Sequence, residues 1–275
     1  MAARPRTTRL HRLIVPFAAF AALLAACTPP APPKDAFVPD FAKVPYEPFS
    51  RDAAIAIALR EWRLFGSPVL PDSASDDTAS DAALEPNQKL ERAEGLWQRV
   101  GEYWWLGLDA GDPERAWTGK HDAQGRVFPP DEDGRFAWSA AFISYVMRIA
   151  GAGARFPYAA AHAHYIDAAR TGNPVLEAER LTDYAPVPGD LICYGRARAR
   201  GIRFEDLPAG LFPSHCDIVV ARDADALEAI GGNVADAVTM KRVAITPDGR
   251  LVGPDGVPLD QRFAWFVALR VRYDR

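Results

Sequence analysis

The order of its predicted elements constrains the fold of this chain most. An apolar segment from Phe136 to Arg148 has helical character and stops before Gly151 and Gly153. Beyond Pro188 the pattern changes to short strand-like runs, at Asp190–Tyr194, Asp217–Ala221, Leu227–Ile230, Val238–Ile245 and Ala264–Val271. Helices that precede strands in this way predict an α+β domain with segregated layers.

Three other segments are typical of helices: Ala53–Phe65, Leu90–Leu108 and Tyr158–Arg170. The second is dense in aromatic residues, which we interpret as packing against the strands. Residues 66–87 are rich in acidic and small side chains and show no hydrophobic periodicity, and this predicts a flexible loop. We therefore expect a helix and acidic loop over 50–87 and the α+β domain over 88–275.

The N-terminus predicts export from the cytoplasm. Four arginines precede an apolar run that is too short to span a bilayer, so residues 1–26 read as a secretory signal peptide. Leu24-Ala25-Ala26-Cys27 resembles the bacterial lipoprotein processing site, which implies cleavage before Cys27 and lipidation of that residue. An ordinary signal peptide with a chance cysteine is the alternative. The residue after Cys27 is Thr28, whereas an aspartate at this position would resemble an inner-membrane retention signal. We therefore expect an outer-membrane lipoprotein that faces the periplasm.

The charge of the mature chain limits its partners. Removal of the signal leaves 28 basic against 36 acidic side chains. This balance argues against nucleic acid and against broad electrostatic binding to anionic lipid. Membrane attachment is expected to come from acyl chains on Cys27. Seven prolines between residues 28 and 48 predict a semi-extended tether over 27–49.

Two cysteines remain when Cys27 carries lipid. Cys193 and Cys216 lie in neighbouring strand-like runs, and the periplasm is oxidising, so a disulfide is favoured. The alternative is that both are small buried residues that never meet.

A candidate site combines the helix with the strands. Ser139 lies in the first turn of the apolar helix, where unpaired amides and the helix dipole favour an anion. His215 lies near the start of a strand and could accept a proton from the Ser139 hydroxyl. Asn233, which follows two glycines, or Asp217, two residues after His215 and on the same strand face, could orient the ring. The alternative role for Ser139 is a helix N-cap.

No metal or other cofactor is predicted. The sequence contains no His-x-x-x-His or Cys-x-x-Cys pair. His162 and His164, two residues apart on a predicted helix, do not share a face. We expect them to be solvated or hydrogen-bonded, with His164 and Tyr165 as possible lining of a groove beside the site.

Four motifs carry a resemblance to known proteins. Trp138-Ser-Ala-Ala-Phe-Ile-Ser, Pro188-Gly-Asp-Leu and His215 with Ile218-Val-Val resemble the motifs of CHAP-type amidases. With Gly231-Gly-Asn233 and the lipoprotein signal, the chain is more closely similar to the bacterial family called domain of unknown function 2272, over residues 95 to 272. The resemblance implies a papain-like (CHAP/NlpC-type) fold and cleavage of peptidoglycan. In such amidases the helix position carries cysteine, whereas here it is Ser139.

Two functions follow as hypotheses. One is a peptidoglycan amidase or peptidase in which Ser139 attacks, His215 transfers the proton and Asn233 or Asp217 orients the ring. The other is an inactive module that binds peptidoglycan or an envelope protein. A hydrogen bond between Ser139 and His215 in an open groove would favour the enzyme. A buried Ser139 bonded only to backbone would favour the binder.

Overall fold

The computed structural model describes residues 48–75 and 89–273. Within these ranges it contains four α-helices and six strands. The helices are α1 (Arg51–Leu64), α2 (Leu96–Gly107), α3 (Ser139–Ile149) and α4 (His162–Arg170). The predictions for the signal peptide, Cys27, the tether up to residue 47 and the acidic loop over 76–87 fall outside the described residues.

The strands form one antiparallel sheet in the order β1-β6-β2-β3-β4-β5. They are β1 (Leu176–Glu179), β2 (Leu191–Gly195), β3 (Ser214–Arg222), β4 (Ala226–Val234), β5 (Ala237–Ala244) and β6 (Ala264–Val271). The predicted α+β class is therefore confirmed. Strand β1 was not predicted, because its four residues Leu-Glu-Ala-Glu carry little β-branched or aromatic signal.

Helix α3 is the centre of the apolar layer on the sheet. Nine of its eleven residues are buried, since it packs between α2, α1 and strands β3 and β4. A helix that is apolar all round requires such a position. The segment therefore holds its first turn, with Ser139, against the strands that carry the other candidate residues.

Helix α1 packs on the same core. Ala54 and Ala58 are fully buried, and Leu70 donates its backbone N–H to the Met240 carbonyl of β5 at 2.8 Å. Helix α1 and the segment that follows it therefore share the core of the domain. None of the described helices is long and apolar enough to cross a membrane.

A buried carboxylate joins the first three helices. The side chain of Glu61, on α1, is fully buried. It accepts hydrogen bonds from Arg99 Nε at 2.6 Å and from Tyr103 Oη at 2.8 Å, and both of these residues are on α2. Arg60 and Arg99 both contact it and the Tyr145 hydroxyl of α3. Burial raises the pKa of Glu61, but the hydrogen bonds from the two arginines outweigh it and hold the pKa below its ordinary value.

Cys193 of β2 and Cys216 of β3 form a disulfide. The two residues are direct partners in the register of the strands, and both are fully buried. Cys216 is next to His215 in β3, and Cys193 is next to Tyr194, which pairs with His215 in the register of the strands. The bond therefore lies directly beside His215.

We expect this disulfide to protect both thiols in the native protein. In the native protein, denaturing alkylation without reductant should label neither Cys193 nor Cys216, and prior reduction should label both, as peptide mapping would show. Loop closure over 23 residues should contribute about 3 kcal/mol to the free energy of unfolding, measured by urea titration of the oxidised and reduced forms. Two labelled cysteines in the unreduced protein would contradict the bond.

Candidate active site

Ser139 is the first residue of helix α3. The N-cap is Trp138, so the structure does not use Ser139 as the cap. The first amides of a helix have no partner within the helix, and the helix dipole is positive at this end. The Ser139 side chain is 7% exposed and lies at this end of the helix.

The Ser139 hydroxyl is bonded to an imidazole. Its Oγ lies 2.8 Å from Nε2 of His162, which is the first residue of helix α4. The His162 ring is buried and makes an edge contact with Tyr165, whose hydroxyl donates to the Ala140 carbonyl at 2.9 Å. The N-termini of α3 and α4 thus meet through a serine and a histidine.

A second histidine begins a buried polar chain on the sheet. His215 Nε2 lies 3.0 Å from Asp217 Oδ1, as alternation along β3 allows. Lys241 of β5 donates through Nζ to both Asp217 oxygens, at 2.9 and 2.8 Å. All three side chains are at most 1% exposed.

The two histidine rings are in contact. The ring centroids of His162 and His215 are 5.0 Å apart, with the planes tilted by 50°. In each ring Nδ1 is buried and has no hydrogen-bond partner among the described residues. Ser139, His162, His215, Asp217 and Lys241 therefore form one continuous cluster.

Burial determines the charge of this cluster. It lowers the pKa of His215 to about 4, with Asp217 opposing and Lys241 adding to that effect, and it lowers the pKa of His162 well below the ordinary value. Burial acts to raise the pKa of Asp217, but Lys241 and His215 outweigh it, so that pKa lies below its ordinary value. At neutral pH the cluster holds two neutral rings and one buried ion pair.

Two glycines allow these groups to approach. A Cβ atom at Gly231 would lie 2.0 Å from Asp217 Oδ1 and 2.7 Å from His215 Nε2. At Gly232 it would lie 2.5 Å from Phe142 Cβ of α3. Only glycine fits at either position, so the backbone of β4 touches both the polar chain and the first turn of the helix.

The partner of Ser139 differs from the predicted one, whereas the partner of His215 is one of the two predicted candidates. The partner of Ser139 is His162 rather than His215, because α4 brings its first residue between the serine and the sheet. Asp217 rather than Asn233 bonds His215. Asn233 lies in a register shift of β4, with φ 56°, and makes no hydrogen bond to His215.

Sequence reasoning missed His162 and Lys241. His162 shares a helical face with buried Tyr165, Ile166 and Ala169, and this periodicity was the available signal that it points inward. Lys241 gave no signal, because a lysine in a strand is normally exposed. His164 is exposed, as a solvated residue should be. No group of three potential metal ligands occurs among the residues that the structure describes.

A buried acid supports the start of α3. Trp138 Nε1 donates to Glu91 Oε2 at 2.6 Å, and the Glu91 side chain is 3% exposed. Burial, with a contribution from Asp236, raises the pKa of Glu91 to about 8. Glu91 is therefore protonated at neutral pH beside the residue that precedes Ser139.

This acid should give the stability a distinctive pH dependence. Because Glu91 binds its proton more tightly when folded, its contribution is complete below about pH 4.5 and is lost as the pH rises through about 8. Glu91→Gln keeps an acceptor for Trp138 and does not titrate. We compare the free energy of unfolding of Glu91→Gln with that of wild type at each pH. The difference should shift in favour of Glu91→Gln by on the order of 4 kcal/mol as the pH rises from 4.5 to 8.

Urea titrations at several pH values would measure this difference. The exposed Glu94→Gln is the matched control and should change the profile little, because that carboxylate is solvated. Parallel profiles for wild type and Glu91→Gln would show that Glu91 does not hold a proton in the folded state.

The fold and site define an α+β domain with a buried serine–histidine pair at the junction of two helices and a sheet. The chain belongs to a family described as an uncharacterized protein conserved in bacteria (DUF2272), whose model matches residues 91–271. This confirms the family indicated by the sequence motifs. No curated protein and no solved structure matches the chain.

Proposed function

We propose that this protein is an amide hydrolase in which Ser139 is the nucleophile and His162 accepts its proton. One observation carries the proposal: Ser139 Oγ lies 2.8 Å from His162 Nε2 at the N-terminus of a helix. A hydroxyl is a weak acid, so it needs an aligned base to attack a carbonyl. The neutral state of His162, maintained by burial, leaves Nε2 able to serve as that base.

The chemistry follows from these positions. Ser139 Oγ attacks the amide carbonyl and its proton moves to His162 Nε2, while the amides at the start of α3 stabilise the oxyanion. The C–N bond then breaks as His162 returns the proton to the leaving amine. Water, deprotonated by the same ring, attacks the acyl-serine ester; the ring then returns that proton to the departing Ser139 Oγ as the acid is released.

The substrate class rests on the motif resemblance. Ser139 at a helix N-terminus and His215 on a strand resemble the motifs of papain-like CHAP-type amidases, which implies an amide of peptidoglycan; the base proposed here, His162, lies on α4 and is not part of that resemblance. We propose the papain-like fold on the same basis. Serine in place of cysteine is consistent with this chemistry because the hydroxyl already has an imidazole partner.

Digestion of purified peptidoglycan tests this function. The full chain should release fragments whose masses correspond to hydrolysis of one amide bond, and Ser139→Ala should release none. Unchanged peptidoglycan after incubation with folded wild type would reject the hydrolase.

A second function has its own support. Ser139, His162 and His215 are all less than 10% exposed, which restricts access of a polymer to the hydroxyl. A module that binds peptidoglycan or an envelope protein would need no such access. Sedimentation with intact peptidoglycan, unaffected by Ser139→Ala and without cleavage, would identify it.

We further propose attachment to the outer membrane through lipid on Cys27, facing the periplasm. The native protein should partition with membranes, and Cys27→Ala should accumulate as an unprocessed or mislocalised precursor. Membrane fractionation measures both. Normal processing and partitioning of Cys27→Ala would contradict lipidation.

A further inference from the structure

The tautomer of His215 is determined by its surroundings. An ionised carboxylate can only accept hydrogen bonds, and Lys241 keeps Asp217 ionised. The proton of neutral His215 therefore lies on Nε2, where it is donated to Asp217 at 3.0 Å. His215 Nδ1 is consequently a buried lone pair with no partner among the described residues.

The tautomer of His162 follows from the proposed reaction, and on this point the inference rests on the proposed function. If His162 Nε2 accepts the Ser139 proton, the ring proton lies on Nδ1. His162 Nδ1 is then a buried donor that also has no partner. The neighbouring rings thus present one unpaired donor and one unpaired acceptor.

These two unpaired nitrogens are complementary. A buried polar group without a partner costs roughly 1–3 kcal/mol, so joining donor to acceptor relieves both costs. The ring centroids are 5.0 Å apart, so the two nitrogens belong to rings that are in contact. The opposite His162 tautomer would leave both Nδ1 atoms as buried lone pairs without a donor, and it would make Nε2 a donor.

We propose that His162 and His215 act as a coupled pair, in which Lys241 and Asp217 fix the His215 tautomer and His215 in turn fixes Nε2 of His162 as the acceptor for Ser139. His215 is then a positioning residue that acts through His162. Asp217 and Lys241 act one step further away. The arrangement assigns a purpose to a lysine that is fully buried in the sheet.

Nitrogen NMR of the full chain, labelled with ¹⁵N at histidine, tests the pair at pH 7. His162→Gln and His215→Gln assign the signals among the five histidines of the chain. We expect a protonated Nε2 in His215 and a protonated Nδ1 in His162. A His162 ring that carries its proton on Nε2 in wild type would overturn the proposal.

A second variant tests the coupling itself. Asp217→Asn alone leaves a buried lysine charge unpaired, so it is combined with Lys241→Met to remove both charges. The His215 signals should change, and the His162 signals should shift with them although no mutated group bonds that ring. The same His162 shift is expected in His215→Gln. A His162 tautomer that is unaltered in both variants would overturn the coupling.

The tautomer result is independent of catalysis. Peptidoglycan left intact by a protein with the expected tautomers would reject the hydrolase and retain the pair. Cleavage by a protein with the opposite His162 tautomer would retain the hydrolase and reject both the pair and His162 as the base.

Discussion

Ser139→Cys should create a fast-reacting thiol. The helix terminus and His162 both favour the thiolate, so its pKa should fall from about 8.5 to below 7. Alkylation by iodoacetamide at pH 7 should then be roughly tenfold or more faster than for an ordinary cysteine. Adding His162→Ala to this variant should remove most of that gain, because the proton acceptor is lost.

Ser144→Cys is the matched control. Ser144 lies on the same helix, is fully buried and forms hydrogen bonds at 3.2 Å with the backbone of Ala159 rather than with a histidine. Its thiol should react slowly and be indifferent to His162. Rates are measured by intact mass after timed quenching. Equal rates for the two cysteines would mean that Ser139 occupies no activating environment.

Glu61→Ala should cause a large loss of stability. The substitution leaves Arg99 and the Tyr103 hydroxyl without their buried acceptor. Removing one partner of a buried charge pair typically costs 3–5 kcal/mol, so we expect a decrease of about that size in the free energy of unfolding. Urea titration followed by tryptophan fluorescence measures it.

The control for this prediction uses the same arginine. Glu102 also pairs with Arg99, but its side chain is 52% exposed. Glu102→Ala should change the stability by less than ~1 kcal/mol, because solvent replaces the lost partner. Similar losses for Glu61→Ala and Glu102→Ala would show that the buried network does not stabilise the packing of α1.

The local sequence pattern was sufficient to predict the α+β class. The helix that begins at Ser139 and five of the six strands lie within a few residues of their predicted bounds, because apolar periodicity reports burial directly. Asp217 was named because alternation places it beside His215. The short edge strand β1 was missed because it has no such pattern.

The hydrogen-bond partner of Ser139 could not be predicted in this way. His162 and His215 are both histidines that follow the serine, and the choice between them depends on how α4 docks against α3. That docking is a tertiary contact, and no periodic pattern in the sequence indicates it. The burial of Lys241 depends on pairing between β3, β4 and β5 and is equally invisible to spacing.

Labelling with a small fluorophosphonate tests most directly whether Ser139 is an activated nucleophile. The reagent forms a stable adduct only with an activated serine hydroxyl, and intact mass with peptide mapping locates it. We predict a single adduct on Ser139 in wild type, none in Ser139→Ala and a greatly reduced yield in His162→Ala. Folded wild type that acquires no adduct, or an adduct whose yield is unaffected by His162→Ala, would contradict a Ser139–His162 catalytic pair.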